Sequence, residues 1–408
     1  MTSPHHATDF LHDLRRRRAE EGGIFWIDGK RLAVFDTDAA RRVNLANWHR
    51  FALSDRLVDQ VRRRTSPPVR WAEVRTEWFT RLHELTSAPH NARLADRMCQ
   101  VIDGRLDADL DLVTFAQDVT VGSLLPVVIA GLTERERRTV VKDLDRQLRL
   151  LIVRSQGSGW WARWRSVAIQ VRAGAVVRRV IRQRARGRRP RELDLADPVV
   201  DLLPRLGPDR ALDVVTTVLT ATAGPPGCAA ASLLYELARQ PGWADRVGAE
   251  LREVDEAAFL AAPTRAAPLT HRFVREVLRL WSPPLILVRP ARLAIDLGAA
   301  ALAPGQAYLL SPHLIHRDPH RWPDPDAFDP DRFLPGAPNG PSGRGSYVPF
   351  GWAPKRCPGA DIATIQLMAL CRLLSTRYRL TVPDPDAVTM VFRFAPVPER
   401  FVGRITLR

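Results

Sequence analysis

From about residue 69 to residue 260, apolar side chains recur at three- and four-residue intervals and strand-like alternation is scarce, which commits the body of this chain to helices. The flanks read differently. Residues 23–36, GIFWIDGKRLAVFD, place two apolar β-prone runs around Asp28-Gly29, a pair that tolerates positive φ, and so predict a hairpin. Thr37 or Asp38 then serves as the cap of a short helix, DAARRVNLANW. GRRPREL, at 187–193, is an exposed loop between helices rather than a domain linker. From 281 onward the chain turns Pro-rich and irregular, with short strands in LILV and AYLL and one last helix after Cys357. The expected fold is mainly α with a minor β region: a basic leader over 1–22 and one large domain over 23–408. With 408 residues and 45% hydrophobic side chains, that domain can bury a core large enough to enclose a cofactor.

Lys and Arg number 61 against 45 Asp and Glu, but the Arg are scattered through globular sequence rather than gathered in a tail. No nucleic-acid recognition motif accompanies them, so nucleic acid is not the expected partner. Cysteines at 99, 228, 357 and 371 form no CxxC pair and no zinc spacing, which predicts a reducing compartment, the cytoplasm, over a disulfide framework. The polar N-terminus lacks the apolar run of a signal peptide, and no stretch of about 20 apolar residues marks a transmembrane segment.

The stretch that carries chemistry is SYVPFGWAPKRCPGADIATIQLMALCRLL, where a Pro- and Gly-bearing loop delivers Cys357 to the start of an apolar-striped helix. Unpaired N–H groups and the positive dipole at a helix N-terminus favour an ionised sulfur, and hence a metal-bound thiolate. Pro358 suits a first helical turn. Gly359 has no Cβ and lets a flat ring come close to the backbone.

Phe350, Cys357 and Gly359 stand at the spacing of the haem-binding loop PFGxGxRxCxG, and the segment resembles that of the cytochrome P450 family. Ala353 replaces the family's usual Gly, and Lys355 replaces the Arg or His that meets a haem propionate; Lys keeps the charge without the bidentate fork, and Arg356 next door can share the role. Glu276 and Arg279 lie three apart on one helical face and resemble the family's ExxR motif, which implies a buried pair bridged by Arg332 of AFDPDRF. HRDPHRWPDPDAFDPDRF resembles the family's meander. Arg289 and the WxxxR pair Trp71 and Arg75 fall where the family places further propionate contacts. The resemblance runs from the hairpin to the C-terminal ITLR. It implies a single large helical domain enclosing haem b (iron protoporphyrin IX), with Cys357 as axial iron ligand.

The pattern breaks in DVVTTVLTATAGPPGCAAASLLYELARQPGW, which resembles the helix that crosses the haem. Ala223-Gly224 begin the AGxDT-like motif, but Pro226 stands at the acid and Gly227 at the threonine, after Pro225. The acid–alcohol pair that the family uses to deliver protons during dioxygen activation is missing, and neither side chain replaces its donors and acceptors. Two prolines inside a helix disfavour it by about 3 kcal/mol each, which predicts a kink or bulge around Gly224, Pro225, Pro226 and Gly227. The expected activity is a haem-thiolate, monooxygenase-like oxidation of a small organic or carrier-tethered molecule by a route without that pair. Three routes stay open: protons through ordered water and a polar group on the substrate, ranked first; direct use of hydrogen peroxide; or a rearrangement, dehydration or coupling. The reading from another class is a non-catalytic haem- or ligand-binding protein of the same fold.

If dioxygen is used, electrons must come from a separate ferredoxin- or flavodoxin-type protein, since the chain has no flavin or iron–sulfur motif; Lys355, Arg356 and Arg372 are candidates for its docking surface. Residues 160–189 combine three Trp with ten Arg. They read as a solvated basic helix face, or as a dock for an acidic carrier, membrane surface or substrate through Arg178, Arg179 and Arg182. The short stretch between Trp48 and Trp71 predicts an open pocket.

Overall fold

A computed structural model describes residues 4–47, 69–153, 160–341, 345–353 and 355–408. The helical body follows the expected periodicity: α1 Pro4–Glu21, α2 Thr37–Asn47, α3 Trp71–Glu84, α4 Ala88–Asp103, α5 Leu112–Val128, α6 Glu134–Val153, α7 Trp160–Ala185, α8 Leu203–Ala223, α9 Pro225–Arg239, α10 Pro241–Glu253, α11 Pro268–Leu280 and α12 Ala360–Thr376. Short helical turns lie between them. Among the described residues, eleven strands are confined to the flanks and one short insertion: β1 Ile24–Asp28, β2 Arg31–Val34, β3 Asp109–Asp111, β4 Leu287–Pro290, β5 Ile295–Asp296, β6 Ala301–Leu302, β7 Ala307–Leu310, β8 Tyr378–Thr381, β9 Thr389–Phe392, β10 Pro396–Glu399 and β11 Val402–Leu407. The mainly helical fold with a minor β part is the one expected.

α5 is apolar on nearly every side and is wrapped accordingly, by α4, α8 and α9. Its buried face merges with those of α9, α11 and α12 into one large core. The strand order β1-β2-β7-β4 makes the largest sheet; β2 runs parallel to β7 with Arg31 opposite Ala307, and its other pairs are antiparallel. α1 docks on this sheet, with Leu11 and Leu14 buried against Phe25, Phe35, Leu309 and Leu314.

Local chemistry differs from expectation at two turns. Gly29 is absent from the glycines with positive φ. The hairpin instead takes its twist from a register shift between Trp26 and Asp28, and Asp28 Oδ1 accepts from Lys30 N–H at 2.9 Å, so a side chain rather than a left-handed backbone closes the turn. At the next helix neither Thr37 nor Asp38 caps. Asp36 does, its Oδ1 accepting from Ala39 N–H at 2.7 Å. All four cysteines are free. Among the described residues no helix is long and apolar enough to cross a membrane.

Candidate functional site

The loop before α12 is held from outside and below. Cys357 N–H donates to Phe350 O at 2.8 Å, and Gly351 takes φ 76°, a conformation that favours glycine, to turn the chain between them. Val348 N–H donates to His316 Nε2 at 2.7 Å, and His316 Nδ1 in turn lies 3.0 Å from Arg279 O. The backbone donor requires Nε2 to be the acceptor, so the ring is neutral with its proton on Nδ1; burial holds its pKa down to about 3. His316 thus joins α11 to the cysteine loop.

The helix starts later than expected. Gly359 is its N-cap and Ala360 its first residue, so Cys357 and Pro358 lie in the turn before it. The Cys357 side chain is exposed, yet desolvation is the largest influence on its thiol and pushes the pKa up. These two facts describe a sulfur that opens into an inner void rather than the outer surface. A hydrogen bond from Gly359 N–H and the charges of Lys355 and Arg356 act in the opposite direction, toward thiolate. A Cβ at Gly359 would lie 3.9 Å from that sulfur, at the wall of the same void.

Around it, separate segments bring basic and donor groups together. Lys355 Nζ lies 4.4 Å from the centroid of the Trp71 ring on α3. Its pKa is pulled down to about 8 by burial and then by Arg289 of β4, with Cys357 opposing. Burial likewise lowers Arg289, whose Nη1 donates to Asn44 Oδ1 at 2.9 Å. Asn44 Nδ2 reaches Trp352 O at 3.5 Å, tying α2 to the cysteine loop. Trp71 Nε1 and Arg75 Nε are buried and have no hydrogen-bond partner among the described residues. Donors left open in this way, beside two cations that repel one another, suit a bound group carrying acids. Haem fits: its two propionates would lie among Trp71, Arg75, Arg289 and Lys355, its iron at Cys357, its ring against Phe350 and Gly359. Arg356 does not turn inward to help; its Nη2 pairs with Asp361 at 2.9 Å on the surface.

Glu276 and Arg279 form the buried pair expected of them. Arg279 Nε and Nη2 donate to the two carboxylate oxygens at 2.7 and 2.8 Å, and Arg332 Nε reaches Oε1 at 3.0 Å. All three are at most 1% exposed. The spare guanidinium N–H groups bind carbonyls of His316, Pro325, Ala327, Pro323 and Asn339, so the meander closes over α11 through side-chain donors.

The helix over the site breaks where predicted. Gly224 takes φ −96° and ψ −71° between α8 and α9. The reason differs from the one expected: Pro225 and Pro226 are the first two residues of α9, where an N–H has no intrahelical partner to lose, so they start a helix instead of interrupting one. Thr216, Thr220 and Thr222 of α8 each donate back to the carbonyl four residues earlier, at 2.8, 3.0 and 3.1 Å, so their protons are committed. A Cβ on Gly227 would stand 2.0 Å from Gln117 Oε1. Gln117, on α5, occupies the volume that a side chain at 227 would fill.

Of the other surfaces considered, Arg372 Nη1 caps the end of α10 through Leu251 O and Val254 O, at 3.3 and 3.1 Å, and Lys355 faces inward; with Arg356 they do not form one basic patch. Within the Arg-rich α7, Arg184 is fully buried and paired with Asp194 at 2.7 Å, Arg178 pairs with Asp209, and Arg179 and Arg182 are exposed. The predicted pocket stretch between Trp48 and Trp71, and the three Trp that open the basic segment, lie outside the residues or side chains described. His316, Asn44 and Gln117 were not picked out in the sequence; an isolated polar residue within an apolar helical stripe is the only signal that marks Asn44 and Gln117.

Residues 201–399 match the family model described as Cytochrome P450. Among curated proteins, cyclooctatin synthase of Streptomyces melanosporofaciens is 34% identical over 170 residues, 41% of this chain and 37% of that protein. Sterol 14alpha-demethylase of Mycolicibacterium vanbaalenii is 32% identical over 183 residues, covering 42% and 40%. Pentalenene oxygenase of Streptomyces avermitilis is 29% identical over 211 residues, covering 50% and 46%. The chain therefore spans less than half the length of these relatives in the matches. Among solved structures, retinoic acid bound cyanobacterial CYP120A1 superposes with a TM-score of 0.79 at 17% identity over 97% of this chain and 94% of that one, a likeness of fold.

Proposed function

We propose that this chain, which belongs to the cytochrome P450 family and so takes haem as its cofactor, oxidises a small apolar organic molecule without a side-chain acid–alcohol pair over the haem. The observation that carries the reading is the meeting of Cys357, at an inner void, with Lys355, Arg289 and Trp71 from three separate segments. When bound, haem supplies the oxidising chemistry, with the Cys357 thiolate pushing electron density to the iron.

The chain's own residues do the rest. Trp71, Arg75, Arg289 and Lys355 hold the acid groups and fix the ring's orientation. The Gly359 N–H and the charge of Lys355 oppose the desolvation that favours the protonated thiol. The break at Gly224 shapes the roof, and with Pro226 and Gly227 in place of acid and alcohol, protons arrive through ordered water and a polar group of the substrate. Electrons come from a separate ferredoxin- or flavodoxin-type donor, and the setting is the cytoplasm. Sterols and pentalenene, from the names of relatives, are the first substrates to try.

The test begins with the visible spectrum of the purified protein, ferric and then reduced under carbon monoxide. A strongly red-shifted Soret band that Cys357→Ser abolishes supports the thiolate site, and product formation from donor electrons exceeding that from peroxide supports the route. Absence of haem, or a spectrum of histidine or neutral-thiol ligation, refutes the reading and favours a ligand-binding protein, toward which Pro226 and Gly227 already point. Faster turnover with peroxide than with electrons favours a peroxide enzyme.

A further inference from the structure

We infer that a pocket bounded by α4, the end of α5 and the first turn of α12 is a second ligand site, built for a small organic monocarboxylate. The acid group lies on Arg93 and Arg97, and a short apolar stem lies against Val127, Leu193 and Ile362. The inference goes beyond the function proposed above and does not depend on it.

The pocket follows from the way four segments meet. His90, Arg93 and Arg97 are spaced three and four residues apart on α4, so they share one face, and all three line the cavity. α5 carries Pro126 in its last turn, and Pro126 and Val127 line the cavity where that helix ends. The loop before α8 brings Glu192 and Leu193 to the same place, and Ile362 of α12 completes the lining. The cavity measures about 90 Å³, where a single water needs about 10–15 Å³, so a molecule of about six non-hydrogen atoms fits.

Its charges are left open. Neither Arg93 nor Arg97 pairs with a carboxylate among the described residues. Arg97 is half-buried and makes one long contact, Nη1 lying 3.5 Å from Ser123 O; burial and then Arg93 pull its pKa down, and no acid opposes them. Arg93 Nη1 donates to His90 Nε2 at 3.4 Å, which makes that nitrogen the acceptor and leaves the ring neutral, its proton on Nδ1 toward Ser87 Oγ at 2.8 Å. Burial, then Arg93 and Arg97, lowers the pKa of His90 as well, with Glu84 opposing. Glu192 is the only acid in the lining, and it leans on Gly131 instead, where a Cβ would stand 3.0 Å from its Oε1.

Two guanidiniums against one carboxylate leave a single positive charge. A monocarboxylate cancels it and accepts from the unused N–H groups, whereas the second charge of a dianion such as phosphate would meet Glu192. The apolar part of the lining suits a stem rather than a second polar end. Ile362 also borders the cysteine turn: a Cβ at Gly359 would lie 3.9 Å from Ile362 Cγ2 and 3.9 Å from Cys357 Sγ, so the two sites share a wall residue.

Calorimetric titration of the purified protein with butyrate tests the site. One molecule per chain should bind, and Arg93→Gln and Arg97→Gln should each weaken binding by about tenfold or more. Arg93 is exposed, and Arg93→Gln should keep the native melting temperature within about 1 °C. Butan-1-ol, which has the stem without the charge, should not bind, and Leu193→Ser should weaken butyrate while leaving acetate unchanged. No heat at about 10 mM butyrate, or binding that both arginine variants keep, overturns the inference. Phosphate binding as tightly as butyrate would mean that the stem has no part and overturns the organic acid. A glutamate of a docking protein carries the same chemistry; an end-blocked Gly-Glu-Gly peptide binding more tightly than butyrate would assign the pocket to such a partner and overturn the free acid. Failure of the proposed function, with no haem bound or nothing oxidised, leaves every arm of this titration readable.

Discussion

Replacing Glu276 by Gln changes almost no volume and removes one charge from a site with no exposure. The carboxylate receives four donors: Arg279 Nε on Oε2, and Arg279 Nη2, Arg332 Nε and Asp329 N–H on Oε1. A Gln carbonyl at Oε1 keeps the latter three, but its amide then faces Arg279 Nε, donor against donor, and two buried guanidinium groups lose their counter-charge. Removing one partner from a buried ion pair costs about 3–5 kcal/mol. With about 2.1 cal/mol/K of unfolding entropy per residue, a chain of 408 residues turns this into a fall of about 3–6 °C in melting temperature. Circular dichroism melts of the haem-loaded protein measure it, with Asp361→Asn, which breaks the exposed Arg356 pair, as a control expected to shift by less than about 1 °C. A Glu276→Gln melt within about 1 °C of native would refute the assignment of the triad as the lock between α11 and the meander.

Three further outcomes follow from the geometry. Burial raises Glu236 to about 7 against the help of Trp281 Nε1–H at 2.7 Å, so between pH 4.5 and about 7 the folded chain holds a proton the unfolded chain has lost. Stability therefore falls as pH rises through that window, by about 3 kcal/mol, and Glu236→Gln should flatten it in urea titrations at pH 5 and 8; equal slopes in both proteins would count against it. Pro226→Ala should change stability by less than about 1 kcal/mol, because the residue stands in the first turn of α9; a gain near 3 kcal/mol on denaturant unfolding would mean that the proline strains a helix interior. Cys228, buried with its thiol pushed up to about 12, should resist iodoacetamide at pH 8 in the folded protein, and mass spectrometry finding it modified while the fold persists would contradict the packing around it.

The helical body, the cysteine loop and the Glu276–Arg279–Arg332 triad were legible in the sequence because each rests on local spacing, or on motifs of several residues. The prolines at 225 and 226 were legible as a break but not as a start: whether Pro interrupts a helix or begins one depends on where the preceding helix ends, and Gly224 decides that through backbone angles no side chain announces. Asp36 was passed over as a cap for a similar reason, one residue of register. Gln117 carries only a weak signal, a single polar residue in an apolar stripe, and what it faces is settled by the rotation of α5 against α9, which lie far apart in the chain. His316 sits in a stretch rich in charge, three residues from His313, whose ring is also buried and neutral, and nothing in the sequence tells which of the two reaches the cysteine loop.

Pairing β2 with β7 in parallel sets Arg31 opposite Ala307, so the hairpin has no neighbour on its inner edge until β7 has been made. At ribosomal speeds of about 5–20 residues per second, the 276 positions between them take about 14–55 s to make. For that time an unpaired strand waits outside the tunnel while the helices behind it collapse. Lys30 and Arg31 at its turn put charge on this waiting edge, which discourages pairing with other nascent chains. Vectorial synthesis thus leaves β2 waiting for a partner that is made long after it.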